Sequence, residues 1–337
     1  MLIQMNKYGM TLPISEEIDT VKYRQTGEDF YSKVVRISES LKDSPDHFEN
    51  FKDALRHMRF LPAGRVQNAM GAARQTTAYN CFVSGVIEDS MDSIMGRATE
   101  AAETMRRGGG IGYDFSRLRP RGDRIKSLDS RASGAVSFMQ IYDSVCQTIA
   151  SSGHRRGAQM GVLRIDHPDI EQFITAKNNG TALTGFNISV GVTDEFMRCL
   201  EKKEPFPLRF DGRVHEEVDP VALWDMVMRS TWDWAEPGVL FIDTINKMNN
   251  LYYCENIEAT NPCGEQPLPP YGACLLGSFN LTKYVGAGAF DYGLFTGDIH
   301  HVVRAMDNVI DRTIYPLEEQ EKEAKNKRRM GLGVTGL

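Results

Sequence analysis

The feature that most constrains this chain is a regular alternation of short apolar segments with helically patterned ones. Strand-like runs lie at residues 81–86, 161–165, 186–190 and 238–242, with helical periodicity at 90–107, 136–150, 169–177, 194–200 and 221–235. Parallel strands cannot be joined by tight turns and need crossovers, usually helices. The alternation therefore predicts a largely parallel α/β sheet or barrel. Upstream, residues 14–59 read as helical. Ser15-Glu16-Glu17-Ile18 supplies a cap and early carboxylates, and Phe30, Val34, Ile37 and Leu41 recur at helical spacing. Ser44-Pro45 breaks that pattern and starts a second helix through Phe51, Leu55 and Met58. The expected organisation is a helical segment over residues 1–55 followed by an α/β domain over 56–337.

Residues 260–282 interrupt the alternation. They hold four prolines and three glycines, which predicts a loop of fixed shape, neither helix nor strand. Long shaped loops inside compact domains more often carry function than not.

Bulk properties remove several function classes. A net charge of −6 and a pI near 5.7 argue against gripping nucleic acid through the overall field. The N-terminus MLIQMNKYGMTLP has no signal-peptide pattern. No apolar run approaches the roughly 18 residues of a membrane span, so a cytoplasmic protein without membrane contacts is expected. Six cysteines in 337 residues are too sparse for a disulfide scaffold. The intervals from Cys254 to Cys263 to Cys274 do not match zinc-ligand spacings, so no metal site is expected.

The chemistry concentrates in Asn261-Pro262-Cys263-Gly264-Glu265. In an extended segment alternate side chains share a face, so an amide, a thiol and a carboxylate would point at one small ligand. Glu265 would serve as acid or base towards a hydroxyl, and Asn261 would fix it by hydrogen bonding. A nucleophilic cysteine needs a basic partner, and no histidine lies in this stretch. A loop with a buried thiol and a solvated glutamate explains the same five residues. Cys146, Cys199 and Cys254 read as structural.

The longer string ATNPCGEQPLPPYGACLLGSFNLT at 259–282 resembles the finger loop of the ribonucleotide reductase catalytic subunit. In the same order as in that family come Phe60-Leu61-Pro62-Ala63-Gly64, Tyr79-Asn80-Cys81-Phe82-Val83, Glu88-Asp89-Ser90-Met91-Asp92-Ser93-Ile94 and Arg107-Gly108-Gly109-Gly110-Ile111-Gly112. Lys177-Asn178-Asn179 and Arg328-Arg329-Met330-Gly331-Leu332-Gly333 follow. The resemblance implies part of the family's ten-stranded α/β barrel and reduction of ribonucleoside di- or triphosphates to deoxyribonucleotides. It implies Cys263 as the thiyl radical that abstracts the ribose 3′-hydrogen, Glu265 as the base for the 3′-hydroxyl, and Asn261 as the amide that holds substrate hydroxyls. Cys81 and Cys274 would be the redox pair, re-reduced by an external dithiol such as a thioredoxin- or glutaredoxin-like protein. Pro62, Ala63, Asn80, Gly109 and Gly110 would line the substrate site, with the glycines read as a turn that lets backbone approach the substrate. A thiyl needs no thiolate, which removes the puzzle of the missing histidine.

The Gly108–Gly112 run is not read as a dinucleotide fingerprint, because it follows a helix and lacks G-x-G-x-x-G spacing. Residues 151–160 read as a mobile cationic loop in which Arg156 would hold phosphate and Gln159 a base edge. By resemblance this is the second specificity loop, serving a deoxynucleotide effector. Asp89 would contact the effector sugar, and Lys126 with residues 127–133 would form the first specificity loop. In the family that site lies at a homodimer interface.

Residues 1–55 are too few for the family's ATP-binding cone. The sequence stops where the second half of the barrel should begin, so a complementary C-terminal half is expected. The LPPYGACLLGS wording and the 11-position interval between Cys263 and Cys274 (274 − 263) look most like the adenosylcobalamin-dependent class. A radical from a small metal-containing partner subunit is the other source the resemblance implies. Two further functions stand beside the reductase: a non-catalytic nucleotide-binding fragment, and a two-electron thiol enzyme such as a peptidase.

Overall fold

The structure is a computed structural model and describes residues 9–125, 128–149, 157–286 and 288–337. It is mixed α/β and divides into two compact units, Cys81–Gly272 and residues 9–80 with Ala273–Leu337.

In Cys81–Gly272, five parallel strands follow one another in chain order: Cys81–Val83, Gly110–Asp114, Gln159–Arg164, Phe186–Val192 and Gly238–Phe241. A doubly wound sheet reverses its strand order at a switch point. Here every crossover steps to the next neighbour, as a barrel wall requires. The helices between strands arise where the sequence places caps and stripes. Ser90 accepts from the Ser93 amide at 3.2 Å to start Met91–Arg106, whose Ile94, Ala98, Ala101 and Met105 form a buried stripe. Ala135–Ile149 does the same with Met139, Tyr142 and Cys146. These stripes cover one face of the sheet, and Ile111, Tyr113, Phe115, Leu163, Ile188 and Val190 fill the core between them.

The helix expected at 169–177 shortens to Ile170–Ile174. The glycine run is a turn only at its start: Gly108 turns at φ +91° after the helix, and Gly110 opens a five-residue strand. An unforeseen hairpin pairs Phe206–Phe210 with Arg213–Val218 around Asp211-Gly212, both at positive φ. An Asp-Gly pair between apolar runs is among the strongest short hairpin signals.

In the other unit, the helix expected through residues 14–41 is two, Pro13–Lys22 and Phe30–Leu41. Thr26-Gly27 breaks it, and Asp29 caps the restart by accepting from the Ser32 amide at 2.7 Å. Ser44 and Pro45 start Pro45–Arg56 as expected. The loop expected at 260–282 contains the strand Leu276–Asn280, which pairs antiparallel with Phe60–Pro62 and parallel with Gly331–Thr335. The prolines end at Pro270, and Leu276 to Asn280 has free amides for both ladders. The helix Tyr292–Arg312 and the Arg59–Asp298 pair complete this unit. Asp298 Oδ2 accepts from Arg59 Nε at 2.6 Å and from the Tyr284 hydroxyl at 2.8 Å, and its Oδ1 accepts from Arg59 Nη2 at 3.2 Å, so both oxygens of this buried carboxylate are bonded. No helix among the described residues is long and apolar enough to cross a membrane.

Candidate active site

The sheet's second face carries the site. Side chains alternate along a strand, so Ile111 and Tyr113 point into the core while Gly110, Gly112 and Asp114 point the other way. A short hairpin, Ala259–Thr260 paired with Pro267–Leu268, lies on that face. A Cβ at Gly112 would stand 1.8 Å from the Thr260 carbonyl oxygen, and one at Gly110 would stand 2.9 Å from the Pro262 ring. The two glycines clear the face for the protein's own backbone. Asn187, from the strand Phe186–Val192 two places along the sheet, donates to the Pro262 carbonyl at 2.7 Å.

The hairpin tip is a tight turn and not the extended segment expected. Gly264 donates its amide to the Asn261 carbonyl at 3.0 Å and has φ +82°, a conformation that favours glycine. The three side chains therefore do not share a face by alternation. Asn261 is fully buried, while Cys263 and Glu265 are exposed. Asn261 instead binds the turn together: its Oδ1 accepts from the Gln266 amide at 3.0 Å, and its Nδ2 donates to Glu265 Oε2 at 2.6 Å. The arrangement aims a carboxylate from a buried amide and leaves the thiol on the tip between them.

Asp114, absent from the sequence-based set, sits on the hairpin side of its strand. Its carboxyl is pushed up to about 7, by burial first and then by the Glu258 charge, against the pull of the Ser116 hydroxyl. The signal that would have found it is the alternation with Gly110 and Gly112.

The remaining residues fall as follows. Cys81 opens its strand and is buried; Cys274 ends Ala273–Cys274 in the other unit and is buried. Pro62 ends Phe60–Pro62, and Ala63 donates its amide to the Leu276 carbonyl at 2.9 Å. Asn80 has a buried Oδ1 with no hydrogen-bond partner among the described residues, an acceptor left for something else. Gly109 packs against Phe82 and Thr104. Gln159 lies in a strand, not in a mobile loop. It is 1% exposed, accepts from the Tyr113 hydroxyl at 2.8 Å and donates to the Tyr142 carbonyl at 3.2 Å. Lys126 and Arg156 lie outside the described residues.

Asp89 accepts from Arg119 Nε at 2.6 Å and lines a cavity of about 430 Å³ with Arg119, Arg124, Arg213 and His215. Arg213 and His215 come from the unforeseen hairpin. A second cavity, of about 560 Å³, also touches Asp89 and holds Arg117, Arg164 and Arg209.

Comparisons with known proteins show the family. A family model described as ribonucleotide reductase, barrel domain, matches residues 79–337. The chain is 42% identical over 292 residues to a vitamin B12-dependent ribonucleoside-diphosphate reductase of Mycobacterium tuberculosis, covering 86% of this chain and 42% of that protein. It is 36% identical over 340 residues to the protein of the same name from Thermoplasma acidophilum, covering 98% and 44%. A ribonucleoside-diphosphate reductase subunit alpha of Chlamydia pneumoniae is 25% identical over 328 residues, covering 85% and 31%. The chain thus spans less than half the length of these relatives. The parallel strands, the glycine-cleared face and the match over residues 79–337 lead to one assignment: the chain belongs to the ribonucleotide reductase family and carries sequence of its barrel domain.

Proposed function

We propose that this chain carries the thiol and carboxylate of a ribonucleotide reductase that converts a ribonucleotide to its 2′-deoxy form by radical chemistry. The observation that carries the reading is the turn in which buried Asn261 holds Glu265 at 2.6 Å beside the exposed Cys263. In this reading the Cys263 thiyl removes the ribose 3′-hydrogen and Glu265 takes the 3′-hydroxyl proton. The 2′-hydroxyl then leaves as water. Cys81 and Cys274 supply two electrons and two protons and end as a disulfide, which an external dithiol reduces. The hydrogen returns from Cys263 to the 3′-carbon, so atoms and electrons balance. Asn261 orients the base, and the orphaned Asn80 acceptor suits a substrate donor. Pro62, Ala63, Gly109 and Gly110 form the proposed walls.

The exposed thiol fits a radical donor that reaches the turn from outside, and adenosylcobalamin, in keeping with the relatives' names, supplies that one-electron equivalent when bound. The cavity beside Asp89 supports a deoxynucleotide effector site, shared with a second copy of the chain; Lys126 and Arg156, outside the described residues, are proposed as further effector contacts. A contact from Gln159 would require exchanging its two core hydrogen bonds. The proposed complement is the rest of the barrel, and the proposed compartment is the cytoplasm.

The test is deoxynucleotide formation by this chain supplied with the C-terminal half of a relative, adenosylcobalamin and a dithiol. Activity that needs cobalamin and disappears in Cys263→Ala supports the reading. Turnover that survives Cys263→Ala, or acyl transfer blocked by alkylation without cobalamin, would sink it.

A further inference from the structure

The four residues Asp166-His167-Pro168-Asp169 hold both walls of the cavity beside Asp89. One wall is the excursion between residues 118 and 135, which carries Arg119, Asp123 and Arg124. His167, 1% exposed, donates from Nε2 to the Leu118 carbonyl at 2.8 Å. Its Nδ1 accepts the Asp169 amide at 3.0 Å. A carbonyl only accepts and an amide only donates, so the ring is neutral with its proton on Nε2. Asp169, 6% exposed, accepts from the Arg121 amide at 2.9 Å and from the Ala135 amide at 3.0 Å. One buried carboxylate thus closes both ends of the excursion. Inside it the Gly122 amide donates to the Ala132 carbonyl at 2.9 Å, and the Ala132 amide to the Asp123 carbonyl at 2.8 Å. The other wall is the Phe206–Phe210 and Arg213–Val218 hairpin. Its Arg209 amide donates to the Asp166 carbonyl at 2.6 Å, and the Phe210 ring stands edge-on to His167 at 5.8 Å.

We propose that residues 166–169 are the positioning element of this cavity, with His167 and Asp169 fixing the wall of Asp123 and Arg124, and Asp166 and His167 fixing the wall of Arg213 and His215. None of the four needs to touch the ligand. The ligand class, a deoxynucleoside triphosphate, rests on the effector reading above; the anchoring does not.

The experiment compares the full chain with Asp169→Asn, Phe210→Leu and a control, Val227→Ala, a core change lining neither cavity. Asparagine would turn an amide donor towards one of the two backbone donors that Asp169 now satisfies. Binding of dTTP is followed by calorimetry, amide hydrogen exchange by mass spectrometry, and the thermal midpoint by scanning. Asp169→Asn should weaken dTTP binding about tenfold and speed exchange at residues 119–135 while helix Pro220–Trp234 is unaffected. Phe210→Leu, the milder change if Asp169→Asn fails to fold, should speed exchange at 206–218; because Phe210 itself lines the cavity, its exchange and not its affinity decides. Val227→Ala should lower the midpoint and leave dTTP affinity intact. Equal loss of affinity in Val227→Ala, or uniform acceleration of exchange in Asp169→Asn, would overturn the positioning role. If the unaltered chain binds no dTTP, the effector reading fails, and the exchange measurements alone decide the anchoring.

Discussion

The two sides of the Gly110–Asp114 strand obey different rules. On one side Ile111 lies in the core cluster and Tyr113 meets other side chains, Tyr142 at 4.9 Å ring to ring and Phe186 at 5.9 Å. On the other, Gly112 meets a backbone carbonyl. Side chains yield by changing rotamer, whereas a hydrogen-bonded hairpin yields only by moving as a body. Substitutions on the core side should therefore change stability, and substitutions on the hairpin side should change activity.

The sharpest test keeps the fold and removes the chemistry. Cys263→Ala, at an exposed tip, should leave the unfolding midpoint unchanged and reduce complemented deoxynucleotide formation to background. Next in size, Gly112→Ala should displace the hairpin and lower turnover about a hundredfold, since a shift near 1 Å has that effect on reacting groups. A variant that keeps full turnover breaks the comparison. Ile111→Ala should cost about 2–5 kcal/mol in denaturant unfolding and leave the turnover of folded protein within about twofold. Tyr113→Phe loses the hydroxyl bond to Gln159 and should cost about 0.5–1.5 kcal/mol. The smallest effect concerns acid. Burial holds the His167 pKa below its ordinary value, against the Leu118 carbonyl and the charges of Asp169 and Asp166, with His215 acting in the same sense as burial. The folded protein then binds fewer protons there than the unfolded chain. This contribution is present above about pH 6.5 and is lost as pH falls through the depressed pKa, by at most about 1.4 kcal/mol per pH unit. Comparing His167→Gln with the unaltered chain by unfolding across pH 5–8 checks the sign.

Much of the fold was legible in the residues. The helix starts at Ser44 and Ser90 and four of the five parallel strands follow from caps and apolar runs, because those signals are local. The break at Thr26-Gly27 and the Asp211-Gly212 hairpin were written there too, as turn chemistry outweighed by apolar periodicity in the first case and passed over in the second. The strand Leu276–Asn280 was hidden by the proline count of the segment before it.

The sequence alone determined the family and which five residues make up the proposed reacting string, since both depend on identity and order. Tertiary structure decided what those residues do to one another. Extended geometry would have put Asn261, Cys263 and Glu265 on one face; the turn at Gly264 buried the amide, exposed the thiol and aimed the carboxylate. It likewise made Gly112 a clearance for Thr260 and Asp169 an anchor for residues 118–135. Those roles depend on neighbours 148 and 48 positions away (260 − 112 and 169 − 121), and no local pattern encodes which distant backbone group a side chain will meet.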